Sequence, residues 1–308
     1  MKAGPALRTL KATFEDGLTR ARAEVQWRRA RRAYAAYSET LRASYEAPTL
    51  DHVVSQLSTA AQLDSARFLE WCEALHLNFR HHRKWWEFAW IAQALTQHGC
   101  LAPGRRGVGF GVGKEPLASY FAKEGCSILA TDAPLEQEKG WATANEHASE
   151  LSALNERGIC DDATFVERVT FRPVDMNRVP TDITGYDFCW SACAFEHLGS
   201  LDHGLAFVER SLDCLVPGGI AVHTTEFNLS SDEATVEHPE IVVYRRRDIE
   251  AFAARLRAKG HRIELNLNPG DRELDRYVDL PPYCQDPHVK LLLRGFVSTS
   301  IGLLVEKA

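Results

Sequence analysis

Over the first hundred residues, apolar positions recur at helical spacing. Leu7, Leu10, Phe14 and Leu18 stand on one helical face, which predicts one long helix over residues 6–46. Residues 51–63, 65–77 and 82–98 predict three more helices, with Asp51 and Ser65 as N-caps. From Arg106 onward the pattern changes to short β-branched or apolar runs separated by helical windows. The strands expected are 107–110, 127–131, 169–174, 186–191, 220–225, 262–267 and 297–304. The helices expected between them are 117–123, 141–157, 205–215 and 247–259. Such alternation predicts an α/β fold, a mostly parallel seven-stranded sheet with helices on both faces. Residues 1–99 then form an N-terminal helical extension and residues 100–308 the α/β domain. Residues 266–287 hold Pro269, Pro281, Pro282 and Pro287 and predict a long loop, the kind of segment that serves as a lid or binding loop.

Composition narrows the class. The 308 residues, 45% apolar and 25% charged, are an ordinary globular balance with room for one large domain. No segment approaches the ~18 apolar residues of a membrane span, and the N-terminus carries no signal-peptide pattern. Cys72, Cys100, Cys126, Cys160, Cys189, Cys193, Cys214 and Cys284 are scattered, mostly in apolar runs, which predicts reduced thiols and a cytoplasmic location. Residues 1–46 carry a net +5, which leaves −11 for the remainder of a chain whose total is −6. An acidic body argues against nucleic acid as the main partner. Arg28, Arg29, Arg31 and Arg32 form either a solvated helical face above Trp27, Tyr34 and Tyr37 or a contact surface for a second subunit or an acidic partner.

The chemistry starts at Gly107-Val-Gly-Phe-Gly-Val-Gly113, between a predicted strand and a predicted helix. Gly109, Gly111 and Gly113 permit a tight turn and a close approach of a ligand to the backbone. The next helix offers its free N–H groups to that ligand. Alone, such a run also fits a purely structural turn. The second predicted strand ends at Asp132, nineteen positions after Gly113, where an acidic residue accepts hydrogen bonds from ribose hydroxyls in dinucleotide-type folds. The alternative for Asp132 is a turn before Pro134.

Taken in order, these pieces resemble the class I S-adenosylmethionine-dependent methyltransferases, and the resemblance spans residues 106–226. Gly109-Phe-Gly-Val-Gly113 resembles their first motif and Asp132 their second-strand acid. Asp175 in Val174-Asp-Met176 resembles the acid beside adenine, with Met176 next to it. Tyr186-Asp-Phe-Cys-Trp-Ser191 followed by Phe195-Glu-His-Leu198 resembles the fourth strand, and Leu215-Val-Pro-Gly-Gly-Ile220 the turn before the fifth. The resemblance implies a Rossmann-like fold and S-adenosylmethionine as methyl donor. Where the family usually has an acid two positions before the first motif glycine, this chain has Gly107, so Glu115 or a backbone carbonyl is expected to hold the donor's amino group. A nicotinamide enzyme is the rival. The Gly-x-Gly-x-Gly spacing, the Pro217-Gly218-Gly219 turn and Asp175 favour the methyl donor.

Acceptor groups in this fold lie beyond the C-terminal ends of strands four and five. Glu196, His197, His223 and Glu226 are expected on that rim. Either His197 or His223 acts as general base, with Glu196 beside it, or a divalent cation (Mg, Mn or Zn) activates the acceptor hydroxyl. Glu196-His197 resembles part of the Glu-x-x-Glu-His element of metal-dependent methyltransferases. That comparison implies a ligand set of Glu196, His197, His223, Glu226 and His238, with Cys193 where the first Glu would stand. Each histidine has a simpler alternative as a buried, hydrogen-bonded core residue. Trp85, Trp86, Tyr277 and Tyr283 offer aromatic platforms for a sugar or planar acceptor, or else pack in the core. The resemblance to bacterial glycan and secondary-metabolite methyltransferases implies O-methylation of a glycan or other small molecule. The alternatives are an RNA methyltransferase that uses the Arg28–Arg32 patch and a non-catalytic interaction protein of the same fold. A homodimer through the N-terminal helices is a further expectation.

Overall fold

The apolar runs after Arg106 become adjacent strands of one sheet. The structure, a computed structural model, describes residues 5–134, 151–284 and 286–308. The chain opens with α1 (Pro5–Ser44), followed by β1 (Ser55–Leu57), α2 (Ala60–Leu63), α3 (Ala66–Ala74) and α4 (Arg83–Gln97). Then come β2 (Arg106–Phe110), α5 (Leu117–Lys123), β3 (Ser127–Asp132), α6 (Asp162–Arg168), β4 (Val169–Pro173) and β5 (Tyr186–Ala192). The last part comprises α7 (Leu201–Ser211), β6 (Leu215–Asn228), β7 (Glu237–His238), β8 (Ile241–Val242), α8 (Arg246–Ala258), β9 (Leu265–Asn266), α9 (Glu273–Arg276), β10 (Leu291–Leu293) and β11 (Phe296–Glu306). No helix among the described residues is long and apolar enough to cross a membrane.

Among the described residues the main sheet has nine strands, in the order β4-β3-β2-β5-β6-β11-β1-β9 with β10 paired to β11. β4, β3, β2, β5 and β6 run parallel. β11 returns antiparallel to β6, from Ser298 opposite Asn228 to Glu306 opposite Ile220. Side chains alternate across the sheet, as the pleat requires. Phe188 and Trp190 enter one buried cluster with Trp86, Trp90 and Phe121, while Cys189 enters the other with Phe110 and Phe207.

The expected helix at 51–63 is a correction. Asp51 caps nothing there, because Gln56 and Leu57 pair with Gly302 and Ile301 of β11, and Ser55 and Gln56 with Leu265 and Asn266 of β9. Sheet pairing outweighs the local helical spacing. Ser65 does cap α3, its Oγ accepting from the Phe68 N–H at 3.2 Å. The expected strand at 262–267 shrinks to β9, with a single bridge from Arg262 to Glu306. Most of the helix expected at 141–157 lies outside the described residues, and its end forms the 3-10 turn Leu151–Asn155.

β1 lies inside the sheet, α4 packs on β11 and β6, and Ala23, Ala30, Tyr34 and Leu41 of α1 share a core with Phe110 and Val305. Arg28, Arg29, Arg31 and Arg32 are exposed on α1 above Trp27, Tyr34 and Tyr37, the solvated-face arrangement. Residues 266–287 include α9 and are tied inward by Asp275. Its carbonyl accepts from Tyr34 Oη at 2.6 Å, and its carboxylate accepts from the Ala60 N–H at 2.8 Å.

Candidate active site

β2 leads into a loop whose backbone only glycine adopts easily, with φ +60° at Gly111 and +48° at Gly113. A Cβ on Gly111 would lie 2.8 Å from Ala194 Cβ and 3.3 Å from Met176 Sδ. Asp132, the last residue of β3, holds this loop: Oδ2 accepts from the Gly113 N–H at 3.2 Å and Oδ1 from the Ala133 N–H at 2.8 Å. Asp175, just after β4, caps a 3-10 turn by accepting from the Asn177 N–H at 2.8 Å. Glu115 is buried and accepts from Trp190 Nε1 at 2.5 Å. Burial raises its carboxyl to about 8, against the opposing pull of the Trp190 hydrogen bond and the Lys84 ammonium.

Gly111, Gly113, Glu115, Asp132, Asp175 and Met176 thus line one cavity of about 410 Å³. Gly109 does not. It lies beneath the floor, where a Cβ would come within 2.4 Å of the Trp190 ring. The cavity opens where the sheet order turns from β2-β3-β4 to β5-β6, beyond the C-terminal strand ends. That is the ligand position of doubly wound sheets, and the parallel order matches their 3-2-1-4-5 pattern. The fold is a Rossmann-like, doubly wound α/β sheet.

No family model matches the chain, and no curated protein does. Among solved structures, the chain is similar to TehB from Haemophilus influenzae at 12% identity and a TM-score of 0.45, over 73% of this chain and 67% of that one. It is similar to a SAM dependent methyltransferase from Aquifex aeolicus at 16% identity and a TM-score of 0.39, over 70% and 89%. It is similar to the CcbJ methyltransferase from Streptomyces caelestis at 13% identity and a TM-score of 0.40, over 70% and 94%.

The cavity is also lined by His197, Cys193, Lys84, Trp85 and Phe88. His197 sits in the 3-10 turn Phe195–His197. Its Nδ1 is 2.6 Å from the Glu240 carbonyl oxygen, and its Nε2 is 3.8 Å from Glu196 Oε1. Cys193, just after β5, has φ +48°, a left-handed conformation that a non-glycine residue rarely takes. Its thiol donates to Glu87 Oε1 at 3.0 Å, and burial raises that thiol well above its usual range. Glu87 lies fully buried on α4, held ionised by Lys84 and Arg83 against its own desolvation. Arg83 also pairs with Glu226 at 2.5 Å, and Lys84 Nζ donates to the Ala192 carbonyl at 2.8 Å.

His223 and His238 belong elsewhere, and Glu196 and Glu226 are buried and do not line the cavity. His223 is fully buried, its Nδ1 2.8 Å from Ser191 Oγ and its Nε2 3.0 Å from Ser211 Oγ, with Phe195 and Phe207 around the ring. Strand alternation is the reason. Val222 packs in the α4-side core and His223 in the opposite one, so His223 cannot reach the rim as base or ligand. His238 is half-exposed in β7, where its Nδ1 accepts from the Glu240 N–H at 3.2 Å. The five-residue metal set therefore does not assemble. Among the described residues Cys193, Glu196 and Glu226 do come together, within 4.8 Å of one another. Arg83 already supplies the cation there, pairing Glu226 and lying 3.7 Å from Cys193 Sγ. Trp86 is a core residue, donating to Gln62 at 2.9 Å, whereas Trp85 faces the cavity. Sequence reasoning missed Arg83, Lys84 and Glu87. Their signal was a charged i, i+1, i+4 set in the first turns of a largely apolar helix.

Proposed function

We propose that this chain is an S-adenosylmethionine-dependent methyltransferase that methylates a hydroxyl oxygen of a sugar or another small hydroxyl compound. The observation that carries the reading is a cavity lined by two unlike sets of residues. Gly111, Gly113, Asp132 and Asp175 form one set, and His197, Lys84 and Trp85 the other. The first set suits the donor. Its glycine floor leaves room for a ligand close to the backbone, Asp132 is an acceptor for ribose hydroxyls, and Asp175 with Met176 flanks the adenine position. Glu115 is the acid available for the donor's amino group. The donor supplies an electrophilic methyl on sulfur.

The protein's part is alignment and proton removal. The Glu240 carbonyl accepts from Nδ1–H of His197, so the neutral ring presents Nε2 as a base. His197 takes the acceptor's hydroxyl proton as the oxygen–carbon bond forms and the carbon–sulfur bond breaks. The leaving thioether departs neutral. Glu196, beside Nε2, stabilises the imidazolium so produced. Calorimetric titration with S-adenosylhomocysteine tests the donor site, and saturable binding is expected. Incubating the protein and labelled donor with a lysate of its host, then identifying the labelled product, tests the acceptor class. Absence of S-adenosylhomocysteine binding would overturn the reading.

A further inference from the structure

Gly109 stands in the glycine run yet does not line the cavity, so contact with a ligand does not account for it. Its φ lies outside the left-handed region, so no turn demands glycine there either. The close approach of Trp190 does demand it. The two residues are paired across the β2–β5 ladder, and a Cβ on Gly109 would stand 2.4 Å from Cζ2 and 2.7 Å from Cε2 of the indole. Trp190 is fully buried and is held on other sides by two rings. Its centroid lies 5.0 Å from that of Phe121 at 88° and 6.0 Å from that of Phe188 at 30°. The indole so fixed has one polar atom, Nε1, which donates to Glu115 Oε1 at 2.5 Å.

An indole N–H only donates. Oε1 is therefore the accepting oxygen in both protonation states of Glu115, and Oε2 is the oxygen that carries the proton or serves a ligand. Glu115 lines the cavity together with Gly113 and Asp132. Burial is the largest influence on its carboxyl and disfavours the ion, and Asp132 of β3 and Glu87 of α4 act in the same sense. The indole and Lys84 of α4 act in the opposite sense. Of these two, the indole also sets orientation, because a hydrogen bond weakens steeply away from linearity.

We propose that Trp190 is a positioning residue of the donor site: its indole fixes the Glu115 carboxyl so that Oε2 meets the donor's amino group, and Gly109 is glycine to admit that indole. The proposal rests on the methyl-donor reading. Its test titrates S-adenosylhomocysteine by calorimetry into the whole protein, Trp190→Phe, Glu115→Ala and the double variant, between about pH 6 and pH 9. Trp190→Phe keeps an aromatic ring over Gly109 and removes only the donor. The wild-type affinity is expected to level off at about 8. In Trp190→Phe the plateau should move up by roughly one pH unit, as for a lost hydrogen bond to a charged group, with binding about tenfold weaker near neutrality. With Glu115→Ala already in place, Trp190→Phe should change the affinity by no more than about twofold, since the partner it acts through is gone. A second measurement needs only folded wild type. The indole N–H resonance that Glu115→Ala displaces most should titrate in the NMR spectrum with the same midpoint as binding, and shift again on saturation with S-adenosylhomocysteine. Equal plateaus for wild type and Trp190→Phe, an equal loss with and without the Glu115 carboxyl, or an indole resonance indifferent to pH and ligand overturns the positioning role. Failure of S-adenosylhomocysteine to bind the wild type would instead overturn the donor reading beneath it.

Discussion

His197 Nδ1 lies 2.6 Å from the carbonyl oxygen of Glu240, a contact that joins the turn after β5 to the segment between β7 and β8. A carbonyl only accepts, so the contact fixes the tautomer of the neutral ring and leaves Nε2 as the basic atom. His197→Gln keeps a polar side chain but no base. It is expected to lower kcat by roughly 10²–10⁴-fold, the usual contribution of a positioned base, with S-adenosylhomocysteine affinity unchanged. Steady-state rates with labelled donor and calorimetry on the same preparation check this. An undiminished kcat would remove His197 from the chemistry.

Asp132 has two tasks, since its carboxylate holds the Gly113 and Ala133 N–H groups and faces the cavity. Two charge-assisted hydrogen bonds to a ribose would be worth roughly 2–4 kcal/mol together. Asp132→Ala should weaken S-adenosylhomocysteine by at least about tenfold. Asp132→Asn keeps one acceptor oxygen and should fall between the two. Equal calorimetric affinity for all three proteins would sink the ribose assignment.

Glu115 is expected to make donor binding depend on pH. Burial holds its carboxyl at about 8, so near neutrality it is mostly protonated in the free protein. A bound ammonium or sulfonium favours the ionised form, and binding then expels a proton. Donor affinity is therefore expected to rise with pH up to about 8 and level off above it. Near neutrality the calorimetric heat should vary with the ionisation enthalpy of the buffer. Glu115→Gln should abolish both dependences. A buffer-independent heat in the wild type would place Glu115 outside the donor's reach.

The glycine-loop part of the cavity was legible because its residues are local to strand ends. Once β2, β3 and β4 are recognised, Gly111, Asp132 and Asp175 fall at their C-terminal ends by order alone. The charged cluster behind Cys193 was less legible because it depends on packing between distant segments. Arg83 and Glu87 meet Cys193 only because α4 packs against β6 and β11, which bring Glu226 and Ser300 beside them. β1 was misread for a related reason: three residues between helices become a strand only when β11 and β9 are there to pair with them. His223 shows the cost of reading a rim from sequence position without pleat parity. It is close to Glu226 along β6 but packs on the opposite face from the α4-side core.

That burial gives His223 a measurable consequence for stability. Both ring nitrogens face serine hydroxyls, with Phe195 and Phe207 closing around the ring, and desolvation pushes its pKa down to about 3. In the unfolded chain the same ring titrates near the ordinary value of about 6.5. Between these values the unfolded state binds a proton that the folded state refuses, so stability is complete above the upper value and declines as pH falls through the window. The slope approaches ~1.4 kcal/mol per pH unit for this one group. His223→Gln keeps hydrogen-bonding capacity for the serines but does not titrate. It should be less stable than wild type near neutrality, through imperfect packing, yet lose less stability on acidification. Urea unfolding between about pH 7 and pH 5 measures both slopes, and every other titrating group is shared by the two proteins, so their difference isolates His223. Parallel slopes would mean that the folded protein takes up the proton readily, which is incompatible with a sealed imidazole at this position.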